Sequence, residues 1–293
     1  MARTEFEENR LSLVPAAELL RDAFRKGYAV PSFCAWNAET TEVVFQAAAR
    51  RRAPVMVMSG PGELPLLPPQ ALADATRSAA SRHAAVAALH LDHGDSIALV
   101  QECLAAGYTS VMLDYSARPF AENAAALREV VGLARPAGAS VEGELGAVGR
   151  VDDATPEGGH ADSLTDPDEA RRYVEATGVD MLAVSIGNAH GIYTRRPRLD
   201  FERLGAIRRA AGVPLVLHGG SGTPPEDLSR AISLGIAKVY VASELVIAVR
   251  ESLLGQWTSG ERSWLPHQVA RAMTALAAVV DRWIGACGCA GRV

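Results

Sequence analysis

Residues 89–94 read Leu-His-Leu-Asp-His-Gly, an apolar run that ends abruptly in an acid and an imidazole. Residues 181–191 read Met-Leu-Ala-Val-Ser-Ile-Gly-Asn-Ala-His-Gly, and residues 214–222 read Pro-Leu-Val-Leu-His-Gly-Gly-Ser-Gly, so two later runs end in the same way. A short apolar run bounded by glycine is typical of a buried strand that stops at a turn. Each of these strands therefore delivers a histidine just past its carboxyl end. The three histidines are His93, His190 and His218.

Runs with strand character alternate with amphipathic stretches along the chain. We predict strands at residues 29–33, 54–58, 85–91, 110–114, 140–144, 181–185, 214–217 and 237–241. We predict helices between them at residues 39–52, 68–82, 96–106, 119–135, 167–177, 201–211 and 224–234. Eight β–α units in strict alternation imply parallel pairing, and eight such units close a TIM (β/α)8 barrel, usually of ~250 residues. A doubly wound open sheet is the alternative, because alternation alone does not show closure.

No linker rich in proline, glycine or serine interrupts this alternation, and the composition does not shift along the 293 residues. We therefore predict one α/β barrel domain that spans residues 1–293. Extra helices are expected at 243–256 and 265–285, where they would pack outside the barrel or mediate assembly into a homodimer or homotetramer.

The composition excludes several classes of protein. A hydrophobic content of 48% and a charged content of 22% are ordinary for a globular domain, and a net charge of −5 argues against nucleic-acid or anionic-membrane partners. No apolar run reaches the ~20 residues of a membrane-spanning helix, and the acidic N-terminus shows no secretory signal, so we expect a cytoplasmic location. Cys287 and Cys289 are interpreted as part of a frayed tail.

Polar residues follow several of the predicted strands, where a barrel places its catalytic groups. Three neutral imidazoles with an open position are the ligand set of a catalytic zinc site, so the three histidines predict a metal. Asp92 precedes one of them and is either a carboxylate that orients the imidazole or an acid/base that faces substrate. Glu142 and Glu144 are two residues apart on a predicted strand, so their side chains point to the same face. They are interpreted either as inward charges that have partners or as further carboxylates of the metal site.

Two loops have functional and structural interpretations. Residues 219–222 form a glycine-rich turn before a helix, which favours an anion such as phosphate but is also compatible with an ordinary βα turn. Ser243, at the start of a later helix, is placed to complete such an anion site. Residues 145–165 form a long loop, either a functional lid or an irregular excursion.

Motifs spread over nearly the whole chain resemble those of the class II, metal-dependent ketose-bisphosphate aldolases, which include the fructose- and tagatose-bisphosphate enzymes. The matching segments, in the family's order, are residues 90–94, 109–116, 141–146, 165–167, 178–180, 186–191, 217–222, 237–245 and 288–292.

The resemblance implies roles for individual residues. His93, His190 and His218 would bind Zn²⁺ or another divalent first-row metal, and Glu144 would lie near an alternative position of the metal. Asp92 would move the proton on the C4 hydroxyl of the substrate. The phosphate and the rest of a dihydroxyacetone-phosphate-like donor would be held by a further set of residues. That set is Gly191, Gly219, Gly220, Ser221, Ser243 and Asn37.

Three departures from the family pattern concern the groups that face substrate. Tyr240 stands where the family usually has an asparagine, and residues 56–62 replace a usual Gln-x-Ser. Asp152 stands where the lid usually has a glutamate that acts as base, beside Arg150 in place of a glycine. With Asp92, Asp152 and Tyr240 as the catalytic residues, we expect an aldolase that acts on a phosphorylated ketose and an aldehyde other than those of fructose 1,6-bisphosphate.

Three rival functions remain at this stage. A Schiff-base aldolase needs a lysine inside the barrel, and only Lys238 qualifies, since Lys26 is predicted to be exposed on the first helix. A non-catalytic barrel that binds metal or sugar phosphate as a partner subunit is the second. Another metal-assisted reaction on the same scaffold is the third, such as retro-aldol cleavage of an unphosphorylated or differently substituted ketose, and the glycine-rich turn disfavours the unphosphorylated version.

Overall fold

The computed structural model describes residues 13–151, 164–260 and 263–293. Within these ranges it contains ten strands. They are β1 (Val30–Cys34), β2 (Val55–Ser59), β3 (Ala87–Gly94), β4 (Ser110–Leu113), β5 (Ser140–Leu145), β6 (Gly149–Arg150), β7 (Met181–Val184), β8 (Ala189–His190), β9 (Leu215–Leu217) and β10 (Ile236–Val241).

Eight of these strands form a closed parallel barrel in the order β1-β10-β9-β7-β5-β4-β3-β2. Closure is explicit at β1, where Ser32 is in register with Met56 of β2 on one side and with Tyr240 of β10 on the other. The predicted TIM barrel is therefore confirmed, and the open sheet is excluded. The two short strands β6 and β8 pair with each other in a separate sheet above the barrel rim.

The same ranges contain ten helices. They are α1 (Ala16–Lys26), α2 (Ala38–Arg51), α3 (Pro69–His83), α4 (Ile97–Ala106), α5 (Phe120–Ala134), α6 (Pro167–Thr177), α7 (Phe201–Ala211), α8 (Pro225–Ser233), α9 (Ser243–Thr258) and α10 (Leu265–Ala286). Helix α6 shows how local sequence sets these bounds. The Asp166 side chain accepts the backbone N–H groups of Asp168 and Glu169, Pro167 occupies the first turn, and Gly178 ends the helix with φ 73°.

The strands are buried on both faces because helices cover the barrel from outside, which explains their almost continuous apolar sequences. Every residue of β2 is buried, for example. The barrel interior is different, since it holds the fully buried charged side chains of Glu142 and Lys238 beside His90. Such groups are stable in an interior only when they are paired and hydrogen-bonded, and their partners belong to the site described below.

Helix α1 lies across the amino-terminal end of the barrel. The Val14 N–H donates to the Ala87 carbonyl at 2.9 Å, and the Ala17 N–H donates to Ser140 Oγ at 2.9 Å. Lys26, at the end of this helix, is exposed as predicted. Among the described helices, none has both the length and the apolar character needed to cross a bilayer.

The prediction of a frayed C-terminal tail is wrong. Cys287 and Cys289 are buried free thiols, and the Cys287 carbonyl accepts the Ala29 N–H at 2.9 Å. The Gly291 N–H donates to the Arg51 carbonyl at 2.9 Å. The tail is ordered because these backbone bonds join it to the start of β1 and to the end of α2, contacts that no local pattern reveals.

Candidate active site

A bulge in β3 explains how Asp92 and His93 reach the same site. Adjacent residues of a regular strand point to opposite faces, but the register with β4 shifts between Leu91 and Gly94. His93 takes a left-handed backbone conformation with φ 43°, which is costly for a residue with a Cβ. Its Nε2 consequently lies 3.8 Å from Asp92 Oδ1, so both side chains face the barrel mouth.

The three predicted histidines converge on one point at this mouth. His93 Nε2 lies 3.2 Å from His190 Nε2, and His190 Nε2 lies 3.4 Å from His218 Nδ1. Each ring comes from a different strand or strand end, β3, β8 and β9, and the three rings meet edge to face. The structure therefore brings together the histidines that the sequence singled out.

The opposite nitrogen of each ring has a partner that fixes where the proton sits. His93 Nδ1 bonds to Asp114 Oδ2 at 2.7 Å, and His218 Nε2 bonds to Glu142 Oε1 at 2.9 Å. His190 Nδ1 faces the Gly149 carbonyl at 3.3 Å. Carboxylates and carbonyls only accept hydrogen bonds, so each of these nitrogens carries the N–H. In the neutral rings, the three nitrogens that face one another present lone pairs.

Three converging lone pairs fit a metal ion. They repel one another unless a cation or a proton lies between them, and Zn–N bonds of 2.0–2.1 Å in a tetrahedral site would separate the nitrogens by about 3.3 Å. The separations of 3.2 and 3.4 Å agree with that value. The partners on the outer nitrogens are also those that metal-binding imidazoles usually have.

The charges around the rings differ from one ring to another. Burial lowers the pKa of His190 to about 4, with His93 and Arg150 adding to the effect. Burial alone would lower the pKa of His93 as well, but the carboxylates of Asp92 and Asp114 outweigh it and raise this pKa to about 10. In the metal-free protein at neutral pH, His93 therefore holds a proton that a metal ion must displace.

Two carboxylates at this mouth each have a buried oxygen without a hydrogen-bond partner among the described residues, Asp92 Oδ1 and Glu144 Oε2. Burial raises the pKa of Asp92, and burial together with Asp114 raises the pKa of Glu144 to about 8. Glu144 also forms a second cluster of possible ligands with His93 and Asp114. The arrangement thus offers a proton-transfer group at Asp92 and an alternative cation position at Glu144.

A buried polar layer lies directly beneath the histidines. Lys238 Nζ donates to Glu142 Oε2 at 2.7 Å, and the Tyr240 hydroxyl lies 3.0 Å from Glu142 Oε1. The Tyr240 ring stacks on His218 with centroids 3.8 Å apart. Tyr240 was predicted among the catalytic residues, and the structure points its hydroxyl into the barrel interior, toward this layer, with 4% of the residue exposed.

The glycine-rich loop lies beside the third histidine. A Cβ on Gly219 would stand 2.0 Å from the Ala189 carbonyl oxygen, and a Cβ on Gly220 would stand 2.4 Å from Val239 Cγ1. The glycines are therefore required by packing against β8 and β10, independently of any ligand. Ser221 Oγ accepts the Glu244 N–H at 3.4 Å, which brings the loop next to the start of α9, where Ser243 is the first residue.

The remaining predicted residues have different positions. Asn37 Oδ1 accepts the Thr40 N–H at 2.8 Å, so this oxygen caps the N-terminus of α2. Gly191 follows β8 with φ 113° and lies next to Val151. Asp152 lies outside the described residues. The residue before it, Val151, donates its N–H to the His190 carbonyl at 2.8 Å. The last described residue before Asp152 therefore lies beside this histidine.

Two carboxylates beside the histidines were not among the predicted site residues: Asp114 ends a predicted strand, and Glu142 was predicted as an inward charge with a partner or as a metal-site carboxylate. The structure gives each carboxylate an imidazole to orient. Their positions at strand ends could have indicated this function, because the outer nitrogen of a metal-binding histidine commonly bonds to a carboxylate. The pairing of Glu142 with Lys238, 96 residues away, had no such signal.

Comparison with known proteins agrees with this geometry. The family model of class-II fructose-bisphosphate aldolases matches residues 14–292. The YdjI aldolase from Escherichia coli K12 is 34% identical, with a TM-score of 0.86, and the match covers 96% of this chain and 99% of that one. A fructose-bisphosphate aldolase from Campylobacter jejuni shares the fold at 18% identity, with a TM-score of 0.81 and coverage of 96% and 97%. The chain therefore belongs to the class II fructose-bisphosphate aldolase family.

Proposed function

We propose that this protein is a divalent-metal-dependent aldolase that cleaves or forms a C–C bond between a dihydroxyacetone-phosphate-like donor and an aldehyde. One observation carries the proposal: three imidazole nitrogens converge at the barrel mouth beside an Asp92 oxygen that has no hydrogen-bond partner among the described residues. The first feature is suited to binding a cation, and the second is suited to moving a proton.

In this proposal His93, His190 and His218 hold the metal, which when bound supplies a Lewis acid for the carbonyl oxygen of the donor. Zn²⁺ is the expected ion, although imidazole ligands also accept cobalt and other first-row ions. Asp114, Glu142 and the Gly149 carbonyl keep the three rings oriented, so the protein has little to rearrange when the ion binds.

Asp92 transfers the proton of the reacting hydroxyl. In cleavage its carboxylate takes the proton from the C4 hydroxyl, the C3–C4 bond breaks, and the bonding electron pair remains on the donor half as the aldehyde leaves. In condensation the carboxyl group returns the proton to the aldehyde oxygen. Burial raises the pKa of Asp92, which brings the group closer to the range where it both accepts and releases a proton at neutral pH. Asp152 is proposed as the base for the C3 proton of the donor.

The donor phosphate is assigned to the glycine-rich loop and its neighbours. Gly219, Gly220 and Ser221 lie at the carboxyl end of β9, and Ser243 begins α9, where backbone N–H groups favour an anion. Gly191 and Asn37 remain part of the proposed binding set. This assignment favours a phosphorylated ketose over an unphosphorylated one.

The proposed substrate differs from fructose 1,6-bisphosphate. Tyr240 stacks on His218 where the resembling family usually has an asparagine, and Arg150 pairs in register with His190 in the small sheet above the rim. Arg150 adds a positive charge to the mouth close to the proposed metal, whereas the Tyr240 hydroxyl points into the barrel interior. The aldehyde half of the substrate is therefore expected to differ most.

The test is a metal-dependent screen. Chelator-treated protein is assayed for retro-aldol cleavage of a panel of ketose mono- and bisphosphates, before and after addition of Zn²⁺ or Co²⁺. We expect cleavage of at least one ketose phosphate only after metal addition. Activity that is indifferent to chelator would refute metal dependence, and full steady-state activity on fructose 1,6-bisphosphate would refute the altered substrate.

The Schiff-base rival has little support. Lys238 is fully buried inside the barrel, and its ammonium group donates to both Glu142 and Tyr240 at 2.7 Å. A lysine that attacks a ketone must be open to substrate, whereas the Lys238 amine is enclosed and hydrogen-bonded. Burial lowers the pKa of Lys238, and the Glu142 carboxylate opposes this shift by stabilising the charged form. Trapping with borohydride should leave Lys238 unmodified.

A homodimer or homotetramer is part of the proposal. Helix α9 and the start of α10 carry several large apolar side chains that are between 40% and 72% exposed. On α9 they follow helical spacing along one face, which is typical of a surface covered by another subunit. These residues are Val246, Ile247, Leu254, Trp257, Trp264 and Leu265.

A further inference from the structure

The Tyr240 hydroxyl has three polar partners inside the barrel. It lies 2.6 Å from His90 Nε2, 2.7 Å from Lys238 Nζ and 3.0 Å from Glu142 Oε1. His90 in turn bonds through Nδ1 to Ser110 Oγ at 2.7 Å. Apart from Tyr240, whose exposure is 4%, these side chains are completely buried, so none of the bonds competes with water.

The direction of each hydrogen bond follows from the chemistry of the groups. A tyrosine hydroxyl donates once and accepts twice, a lysine ammonium only donates, and an ionised carboxylate only accepts. The Tyr240 hydroxyl therefore donates to Glu142 and accepts from Lys238. Its remaining lone pair accepts the Nε2–H of His90, and Ser110 donates to the other nitrogen of that ring. Both ring nitrogens of His90, both Glu142 oxygens and the Tyr240 hydroxyl thus have hydrogen-bond partners, and Lys238 donates to two of them.

These bonds hold the Glu142 carboxylate in one orientation. Oε2 accepts from Lys238, while Oε1 accepts from both the Tyr240 hydroxyl and His218 Nε2–H. The carboxylate cannot turn without breaking at least one buried hydrogen bond to a charged group, each worth about 1.5–3 kcal/mol. His218 therefore keeps its proton on Nε2 and its lone pair, on Nδ1, toward the other two histidines.

Tyr240 also restrains His218 directly. The two rings are stacked with centroids 3.8 Å apart and an interplanar angle of 27°. One side chain thus acts on the same imidazole in two ways, through the face of the ring and through the carboxylate that bonds to its outer nitrogen. An asparagine at this position has no ring to stack and is too short to replace the phenol hydroxyl in the interior.

We propose that Tyr240 is a positioning residue for His218 and thereby sets the metal affinity of the site, rather than a group that contacts substrate. The proposal rests on the metal-dependent function proposed above. According to this proposal, the tyrosine in place of the family's asparagine affects metal binding. The specificity for the aldehyde is then determined by residues above the rim.

The direct test is Tyr240→Phe, which keeps the stacked ring and removes the hydroxyl. Tyr108→Phe is the matched control, because Tyr108 is similarly buried and its hydroxyl bonds to Ser59 Oγ at 3.1 Å, away from the histidines. The Kd for Co²⁺ is measured by visible absorbance on chelator-treated protein without substrate. We expect Tyr240→Phe to weaken Co²⁺ binding by up to about tenfold, the lower end of the effect of losing an outer partner of a metal ligand, because Glu142 itself remains, and Tyr108→Phe to stay within about twofold.

Tyr240→Asn separates positioning from substrate contact. If Tyr240 positions His218, this variant binds Co²⁺ at least as weakly as Tyr240→Phe, and kcat at saturating metal recovers more fully than the metal affinity. If Tyr240 contacts substrate, the Kd for Co²⁺ stays at the wild-type value while KM and the preferred ketose change. The second result would overturn the proposal.

Ser110→Ala provides the test if Tyr240→Phe does not fold. It removes the bond that orients His90, and through His90 it loosens the Tyr240 hydroxyl without touching Glu142. A several-fold loss of Co²⁺ affinity is expected, and unchanged affinity in this folded variant would contradict the proposal. Wild-type protein that binds Co²⁺ but cleaves no ketose phosphate would refute the aldolase function and leave this inference standing.

Discussion

The carboxylate of Glu244 accepts the backbone N–H of Gly222 at 2.7 Å, which ties the first turn of α9 to the glycine-rich loop. Its other oxygen contacts Arg282 and accepts the Trp283 Nε1–H at 3.0 Å. One carboxylate therefore joins the loop, α9 and the long helix α10. The loop that is proposed to bind phosphate is thus held from behind by the C-terminal helices.

Glu244→Ala should loosen this loop. A hydrogen bond to a charged group contributes about 1.5–3 kcal/mol, so we expect KM for a phosphorylated ketose to rise at least about tenfold while kcat changes less. Steady-state kinetics on the best substrate measures both constants. Glu251→Ala is the control, since Glu251 lies exposed on the same helix and pairs with its neighbour Arg250. Equal KM values in Glu244→Ala and wild type would contradict this role.

Asp92→Ala should abolish turnover and leave the metal bound. Loss of a general acid or base costs about 10²- to 10⁴-fold in kcat, whereas the three imidazoles and their outer partners remain in place. Retro-aldol kinetics and metal analysis of the same sample test both statements. Asp95→Ala, an exposed neighbour beyond the bulge, should retain activity. If Asp92→Ala loses the metal instead, Asp92 is a structural residue of the site.

Gly219→Ala should destabilise the protein. The new Cβ would lie 2.0 Å from the Ala189 carbonyl oxygen, and the φ of 63° is unfavourable for alanine. We expect the free energy of unfolding in urea to fall by at least about 2 kcal/mol. Gly132→Ala is the control, because Gly132 is exposed within α5 and no atom lies within 4 Å of the position of a Cβ. In this variant the free energy of unfolding should rise by about 0.5–1 kcal/mol. Equal stability of the two variants would show that the loop relaxes freely.

Two buried tyrosines should make the fold sensitive to alkali. Burial raises the pKa of Tyr108 and of Tyr173 above the ordinary value of 10. The stability that each contributes is fully present below pH 10 and is lost as the pH rises toward the folded value, because the unfolded chain ionises first. Each of these groups contributes up to about 1.4 kcal/mol of lost stability per pH unit above pH 10, and Tyr28, Tyr193 and Tyr240, whose pKa values burial also raises, add to the slope. Urea unfolding at several pH values measures this slope, and Tyr173→Phe should reduce it by about 1.4 kcal/mol per pH unit.

Trp257→Glu should dissociate the proposed oligomer. Trp257 is 60% exposed on the apolar face of α9, and a carboxylate buried at a subunit contact is strongly unfavourable. Light scattering coupled to size exclusion measures the change in mass. Leu66→Glu, at a more exposed leucine outside α9 and α10, should leave the mass unchanged. A wild-type monomer at micromolar concentration would refute the assembly.

The barrel and its three histidines were predictable because their signals are local. Each β–α unit carries its own pattern, and a glycine in the left-handed conformation ends four of the ten described helices. The predicted strand 237–241 differs by one residue from the observed β10. The bulge at Asp92 and His93 was not predictable, since it depends on how β3 is aligned with β4 rather than on either sequence alone.

The direction of the Tyr240 side chain could not be predicted for a related reason. Its partners His90, Glu142 and Lys238 come from three different strands, and the pairing depends on how the closed barrel stacks its interior residues. A lone tyrosine in an apolar strand has no local feature that distinguishes an inward hydroxyl from one that faces substrate. The sequence therefore indicates that the position is unusual without indicating why.

The burial of Lys238 has a practical consequence, because the chain contains only two lysines. The ammonium group of Lys238 is enclosed in the barrel, whereas the side chain of Lys26 is 54% exposed at the end of α1, on the opposite face of the barrel from the histidines. Apart from the terminal amine, an amine-reactive reagent therefore meets a single accessible side chain. The protein can be coupled to a surface or a dye through Lys26 with the barrel mouth left open to solution.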